Sequence, residues 1–233
     1  MNPDFTKFEK KIGVNFKDKD LLRQAFTHRS YLNEHRDSEF VHNERLEFLG
    51  DAVLELIVTE YLYEKYPDSN EGELTAYRSA LVNATTLSDA ASKIGMNDFL
   101  LLSKGEAKDT GRARQIILAN SIEALIGALF LDQGYEMAKY FISNNIFNLI
   151  EKIVEEKTWL DAKSKFQEQA QDYESVTPLY KTLKEEGPDH DKKFTVGVFL
   201  GKKKIAEGEG KSKQEAEQVA ADNALKEKDW LAN

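Results

Sequence analysis

The run Asn43-Glu44-Arg45-Leu46-Glu47-Phe48-Leu49-Gly50-Asp51-Ala52-Val53-Leu54-Glu55-Leu56 sets four acids at helical spacing. Read as one amphipathic helix, Glu44, Glu47, Asp51 and Glu55 share an arc of roughly 80°, with Leu49, Val53, Leu56 and Ile57 opposite. Like charges three and four positions apart destabilise a helix by about 0.2–0.5 kcal/mol per pair. A solvated face answers that repulsion with water. A hard cation answers it with coordination, because such ions take oxygen ligands. From Ile116 to Leu131 (IILANSIEALIGALFL) the only charged residue is Glu123. A helix apolar nearly all round belongs in an interior, where a carboxylate is costly unless it is paired or bound to a metal. Asn120 lies one turn earlier on the same face. The competing arrangement is a buried Glu123–arginine pair, with Arg45, read as projecting toward the apolar side of its helix, as the candidate partner.

Other elements must hold those two helices. From Phe5 to about Glu156 apolar residues recur at three and four, as in Leu21–Leu22–Ala25–Phe26 and Leu87–Ala90–Ala91–Ile94, which predicts helix after helix. The breaks are Tyr66 to Gly72, Gly95, and a polar stretch from Ser103 to Arg114 expected to be a mobile loop. Near Lys157 the pattern changes. A helix over about Leu160–Tyr173 precedes strand-like runs at Leu179–Lys184 and Phe194–Leu200, and a turn at Gly201-Lys202 leads to a third strand ending near Gly208 to Gly210. Ser212-Lys213-Gln214-Glu215 has capping-box form and opens a helix to about Lys226. The expected fold is an all-α domain over residues 1–157 followed by a small α+β (α-β-β-β-α) domain over residues 158–229.

The segment Asn43 to Asp51, with the later Ala119-Asn-Ser-Ile-Glu-Ala-Leu-Ile-Gly127, resembles bacterial ribonuclease III. Thr27-His28-Arg29-Ser30 and the segment Glu71 to Val82 resemble further parts of that family, and the likeness spans essentially the whole chain. The resemblance implies an endonuclease that hydrolyses double-stranded RNA with magnesium, manganese being able to substitute. Magnesium held by carboxylates both activates water and neutralises charge on the attacking and leaving oxygens. By the same resemblance Glu47 and Glu123 are metal ligands, Asp51 positions the attacking water, and Asp51 and Glu123 are the catalytic residues. Glu44 and Glu71 match outer acids of the cleft in supporting roles. Phe48 matches an aromatic at the family's dimer contact, though alone it reads equally well as core. His28 reads as a packed histidine with no catalytic role. A homodimer is implied, each site cutting one strand to leave 5′-phosphates and short 3′ overhangs. Processing of ribosomal RNA precursors and structured messenger RNAs is the expected role. Asn120 departs from the family, which usually has Asp there. Its amide oxygen can still ligate magnesium, but one negative charge is lost, so weaker metal affinity is expected rather than a dead enzyme. The alternative is a double-stranded RNA binder that cuts poorly.

The C-terminal unit resembles a double-stranded RNA-binding domain. On its first helix Phe166, Ala170 and Tyr173 form one stripe. Ser164, Gln167, Glu168 and Gln171 lie within about 100° on the opposite face, either solvated or reaching 2′-hydroxyls in a minor groove. The loop Gly187-Pro188-Asp189-His190 with Lys192 resembles one that enters that groove. Lys211 and Lys213 flank a helix N-terminus that favours a phosphate, whereas Lys202 to Lys204 read as a solubilising turn. Recognition by shape predicts little base specificity and marked salt dependence.

Composition adds limits. The net charge is −9; from Thr158 on, 13 Lys and no Arg against 15 acids give −2, leaving −7 before it. Bulk charge therefore does not announce RNA, and the expectation rests on local clusters. The absence of cysteine excludes disulfide partners and thiolate metal sites. No run reaches the roughly 18 uninterrupted apolar residues of a membrane span, and Met1–Val14 lacks a signal-like core, so a cytoplasmic protein without membrane contact is expected.

Overall fold

The computed structural model describes residues 3–155, 162–188 and 192–230. The chain divides into two compact units, Met1–Trp159 and Leu160–Asn233. The expected domain boundary between residues 157 and 158 lies outside the described residues.

The first unit is helical: α1 (Phe5–Ile12), α2 (Lys19–Ala25), α3 (Arg29–Glu34), α4 (Glu44–Lys65), α5 (Glu71–Val82), α6 (Ala84–Lys93), α7 (Arg112–Gln133), α8 (Tyr135–Asn145) and α9 (Ile150–Glu155). Its hub is α7, whose Ile117, Ile122, Leu125, Ile126 and Leu129 are buried. By length and composition α7 would pass for a membrane span. Its burial inside this unit accounts for that apolarity, as expected of a helix hydrophobic on every side. α4 runs beside it and buries Leu46, Gly50, Val53, Leu54, Ile57, Val58 and Leu62. Local chemistry sets the helix starts. At α5 Asn70 accepts from the Glu73 N–H while the Glu73 carboxylate accepts from the Asn70 N–H, a complete capping box.

The polar stretch Ser103–Arg114, expected to be a mobile loop, carries local structure of its own. Arg112 already begins α7, and a 3₁₀ turn spans Glu106–Lys108. Arg114 ties the segment down by donating to the carbonyls of Asp109 at 3.1 Å, Glu106 at 2.9 Å and Ala107 at 3.0 Å. The reason is that guanidinium: its several N–H donors satisfy carbonyls that would otherwise face water.

The second unit packs α10 (Ala162–Glu174) and α11 (Lys213–Glu227) on an antiparallel sheet of order β1 (Leu179–Glu186), β2 (Lys193–Leu200), β3 (Lys203–Gly210). The register slips between Thr182 and Lys184 and again between Val198 and Phe199. Val198 and Leu200 form the core with Phe166, Ala170, Ala220, Ala221, Ala224 and Leu225. A Cβ on Gly208 would lie 2.2 Å from the Ala220 nitrogen. Glycine and the alanine face of α11 thus let helix and strand meet backbone to backbone.

Candidate active site and nucleic-acid interface

The acids are brought together by the crossing of α4 and α7. A Cβ on Gly50 would stand 1.7 Å from the Glu123 carbonyl oxygen, and one on Gly127 2.3 Å from the Leu46 carbonyl oxygen. The two backbones therefore touch, and Glu47 and Asp51 on α4 face Glu123 on α7. The start of α4 is pinned by Asn43, which is buried. Its side chain donates to the Ala25 carbonyl at 3.1 Å, its N–H donates to the Thr27 carbonyl at 2.9 Å, and its own carbonyl accepts from the Glu47 N–H at 2.9 Å. Sequence reasoning missed Asn43 and both glycines as positioning residues. A glycine inside a strong helical pattern was the available signal.

Burial, then the charges of Asp51 and Glu47, push the Glu123 carboxyl up to about 8 from an ordinary 4.5. Glu47 is raised too, by burial first and then by Glu44, while a hydrogen bond from the Asn120 side chain lowers it. Asp51 is exposed at the rim. Among the described residues no basic side chain forms an ion pair with Glu123. The Glu123–arginine alternative therefore fails, because Arg45 is exposed and sits off the buried face of α4. Leu56, expected among the apolar contacts, is 60% exposed for the same reason: the buried stripe follows Leu46, Gly50, Val53 and Ile57.

Three carboxylates and an amide, with no cation among the described residues to balance them, form an all-oxygen donor set suited to a hard divalent ion. Among the described residues no three His, Asp or Glu side chains are gathered tightly enough to enclose an ion as they stand. The fit rests on donor chemistry and on the uncompensated repulsion. Asn120 suits it as well, since its N–H₂ donates to Glu47 and its amide oxygen is an acceptor of the kind a hard cation takes.

The outer acids separate. Glu44 lies half-exposed near the cluster, its carboxylate 3.6 Å from Arg29 and 3.7 Å from His42 Nδ1. Glu71 opens α5 and lines a different groove, with Thr59, Leu62, Tyr63, Leu74, Thr75 and Arg78. Within one chain it does not join the cluster, because eight residues of α4, about 12 Å at 1.5 Å each, separate Thr59 from Asp51. Phe48 is no core residue; it is 82% exposed, in one stripe of α4 with Leu56 and Tyr63. His28 caps α3, its Nδ1 accepting from the Ser30 N–H, and burial lowers its pKa.

In the second unit Ser164, Gln167, Glu168 and Gln171 line one shallow depression with Asp172. The opposite face of α10 buries Phe166 and Ala170, while Tyr173 stacks on Trp230 at 5.4 Å. His190 lies outside the described residues. Lys211 and Lys213 are exposed at the start of α11. The Lys213 ammonium is 2.7 Å from Glu185, which it holds below the usual carboxylate range. The Ser212 hydroxyl accepts from the Glu215 N–H, but the Glu215 carboxylate accepts from Lys211 N–H rather than Ser212. The expected capping box is thus half formed.

Comparison with known proteins agrees along the chain. Residues 18–150 match the family described as Ribonuclease-III-like, and residues 162–228 the double-stranded RNA binding motif. Ribonuclease 3 of Bdellovibrio bacteriovorus is 44% identical over 221 residues, 94% of each chain. That of Enterococcus faecalis is 46% identical over 221 residues, 95% of this chain and 96% of the relative. Among solved structures, a nuclease domain of ribonuclease III from Campylobacter jejuni, described for flexibility in a region involved in dimer formation, superposes with a TM-score of 0.56. It is 41% identical and covers 64% of this chain and 97% of that one.

Proposed function

From the premise that the chain belongs to the ribonuclease III family, and is an endoribonuclease of double-stranded RNA, we propose that Glu47, Asp51, Asn120 and Glu123 form its hydrolytic centre. The observation that carries this reading is a half-buried Glu123 facing two further carboxylates, with no base among the described residues to balance them. Glu47, Glu123 and the amide oxygen of Asn120 would hold magnesium, or manganese in its place. When bound, that ion supplies positive charge for the attacking and leaving oxygens of the phosphodiester. Asp51 orients the attacking water from the rim. Glu123 keeps a proton on its carboxyl oxygen near neutral pH until a compensating charge arrives. Glu44 and Glu71 have supporting roles, Glu71 from its separate groove.

The second unit holds the duplex by shape, with Ser164, Gln167, Glu168 and Gln171 toward the minor groove and Lys211 and Lys213 toward phosphates. His190 is assigned to the same task from the sequence alone. The functional division falls at 1–157 and 158–229. A homodimer formed through Phe48 would give two sites, one per strand, and so 5′-phosphates with short 3′ overhangs. Processing of ribosomal RNA precursors and structured messenger RNAs in the cytoplasm follows as the role.

Incubation with a long RNA duplex tests this, with magnesium and with chelator. The expected result is magnesium-dependent cutting that Glu123→Gln abolishes while duplex binding persists. Undiminished cutting by Glu123→Gln would overturn the site. Binding by the unaltered chain without any cutting would favour a non-cleaving binder, the reading that the missing charge at Asn120 permits.

A further inference from the structure

We infer that Gly50 and Gly127 are positioning residues of the hydrolytic centre, the bare-backbone contact between α4 and α7 setting the gap across which Glu47 and Asp51 face Glu123. The inference rests on the proposed site. Each glycine lies against the backbone of the opposite helix at the acids themselves. Gly50 abuts the carbonyl of Glu123, and Gly127 the carbonyl of Leu46, next to Glu47. A Cβ added at Gly50 would also lie 2.6 Å from the Glu123 carbonyl carbon and 2.9 Å from the Gly127 nitrogen, and one at Gly127 3.0 Å from the Gly50 nitrogen. These are backbone atoms held in two 22-residue helices, so no side chain can swing aside. Non-bonded heavy atoms settle at roughly 3.5–4.0 Å, so an alanine must part the helices by roughly 1–2 Å. Magnesium holds its ligands at about 2.0–2.1 Å in near-ideal octahedra, so a donor set spread by that distance loses the ion. Misplacement of about 1 Å costs on the order of 100-fold in rate.

Packing alone makes a different claim from positioning. Alanine favours a helix more than glycine does, so each substitution helps its own helix and harms only the contact. Ile57→Ala, on the buried face of α4 two turns beyond Gly50, is the comparison. It removes bulk from the core without driving backbones apart.

The test uses the full chain, with manganese binding followed by electron paramagnetic resonance in the absence of RNA, duplex binding in chelator, and thermal melting. Gly50→Ala and Gly127→Ala are expected to bind duplex within about twofold of the unaltered chain, yet to lose at least tenfold in manganese affinity and about 100-fold in kcat. Ile57→Ala should melt earlier with unchanged manganese affinity. Unchanged manganese binding by either glycine variant would overturn the inference, as would equal loss in Ile57→Ala. Should the glycine variants not fold, hydrogen exchange on the unaltered chain decides. Magnesium should slow exchange at Gly50 and Gly127 at least tenfold while leaving α8 unchanged, and no slowing there overturns the inference. An unaltered chain that neither binds manganese nor cuts duplex RNA defeats the hydrolytic reading itself; one that does both, alongside equally competent glycine variants, defeats only this inference.

Discussion

Glu123 ties the stability of the nuclease unit to pH. Its carboxyl titrates near 8 in the folded chain against an ordinary 4.5. The folded state therefore holds a proton that the unfolded state has released. For such a group the contribution to stability is full below the unfolded value and declines as pH rises through the folded one. In chelator, calorimetry from about pH 5 to about pH 9 should show a melting temperature that falls with pH, and Glu123→Gln should flatten the fall. Magnesium needs the ionised carboxylate, so it should stabilise more at the alkaline end. A Glu123→Gln profile parallel to the unaltered one would remove Glu123 from the account. Asn120 makes the second prediction. Asn120→Asp restores a charge to the donor set, and the magnesium giving half-maximal cleavage should fall by on the order of tenfold; an unchanged requirement would refute its role. Glu123 was legible in the sequence because a lone charge in an apolar helix demands compensation. Arg45 and Leu56 were misread because periodicity fixes relative angles around α4, but not which direction faces α7. Only the glycine contact settles that.

At the scale of elements, α4 does two jobs on two faces. One presents the acids to α7, and another leaves Phe48, Leu56 and Tyr63 exposed at 82%, 60% and 74%. Large apolar groups aligned in this way suit an isologous contact, in which the same patch meets itself. Phe48→Glu is expected to shift sedimentation from dimer to monomer, a loss of about 2 kcal/mol or more if Phe48 anchors the contact. It should leave the melting of the monomer little changed, since so exposed a side chain contributes little to its core. A dimer that survives would move the interface elsewhere. Helix order and the α-β-β-β-α succession were readable from periods of 3.6 and 2 with their breaks. The two register slips in the sheet were not, because a bulge answers to the neighbouring strand. Nor was the half-formed cap of α11, where Glu215 reaches past Ser212 to the Lys211 N–H.

The whole molecule is acidic, −9 overall, yet it must hold a polyanion. Charges beyond about 10 Å are largely screened at physiological salt, so affinity is governed by the few lysines that touch phosphate. Lys213 is informative because it already has a partner, Glu185 at 2.7 Å. RNA must compete with that carboxylate, and the ion pair is exposed enough to break at small cost. Two substitutions at this pair should therefore act in opposite directions. Lys213→Ala removes the proposed phosphate contact and should weaken duplex binding by a similar factor for every sequence. The slope of log affinity against log salt should become shallower by about one. Glu185→Gln frees the ammonium and should tighten binding a few-fold with the slope preserved or steeper, since the lysine then meets phosphate without a rival. Fluorescence anisotropy over a salt series on one duplex measures both. If Lys213→Ala leaves the slope unchanged, Lys213 serves the fold through Glu185 rather than the RNA, and the basic end of α11 reduces to Lys211.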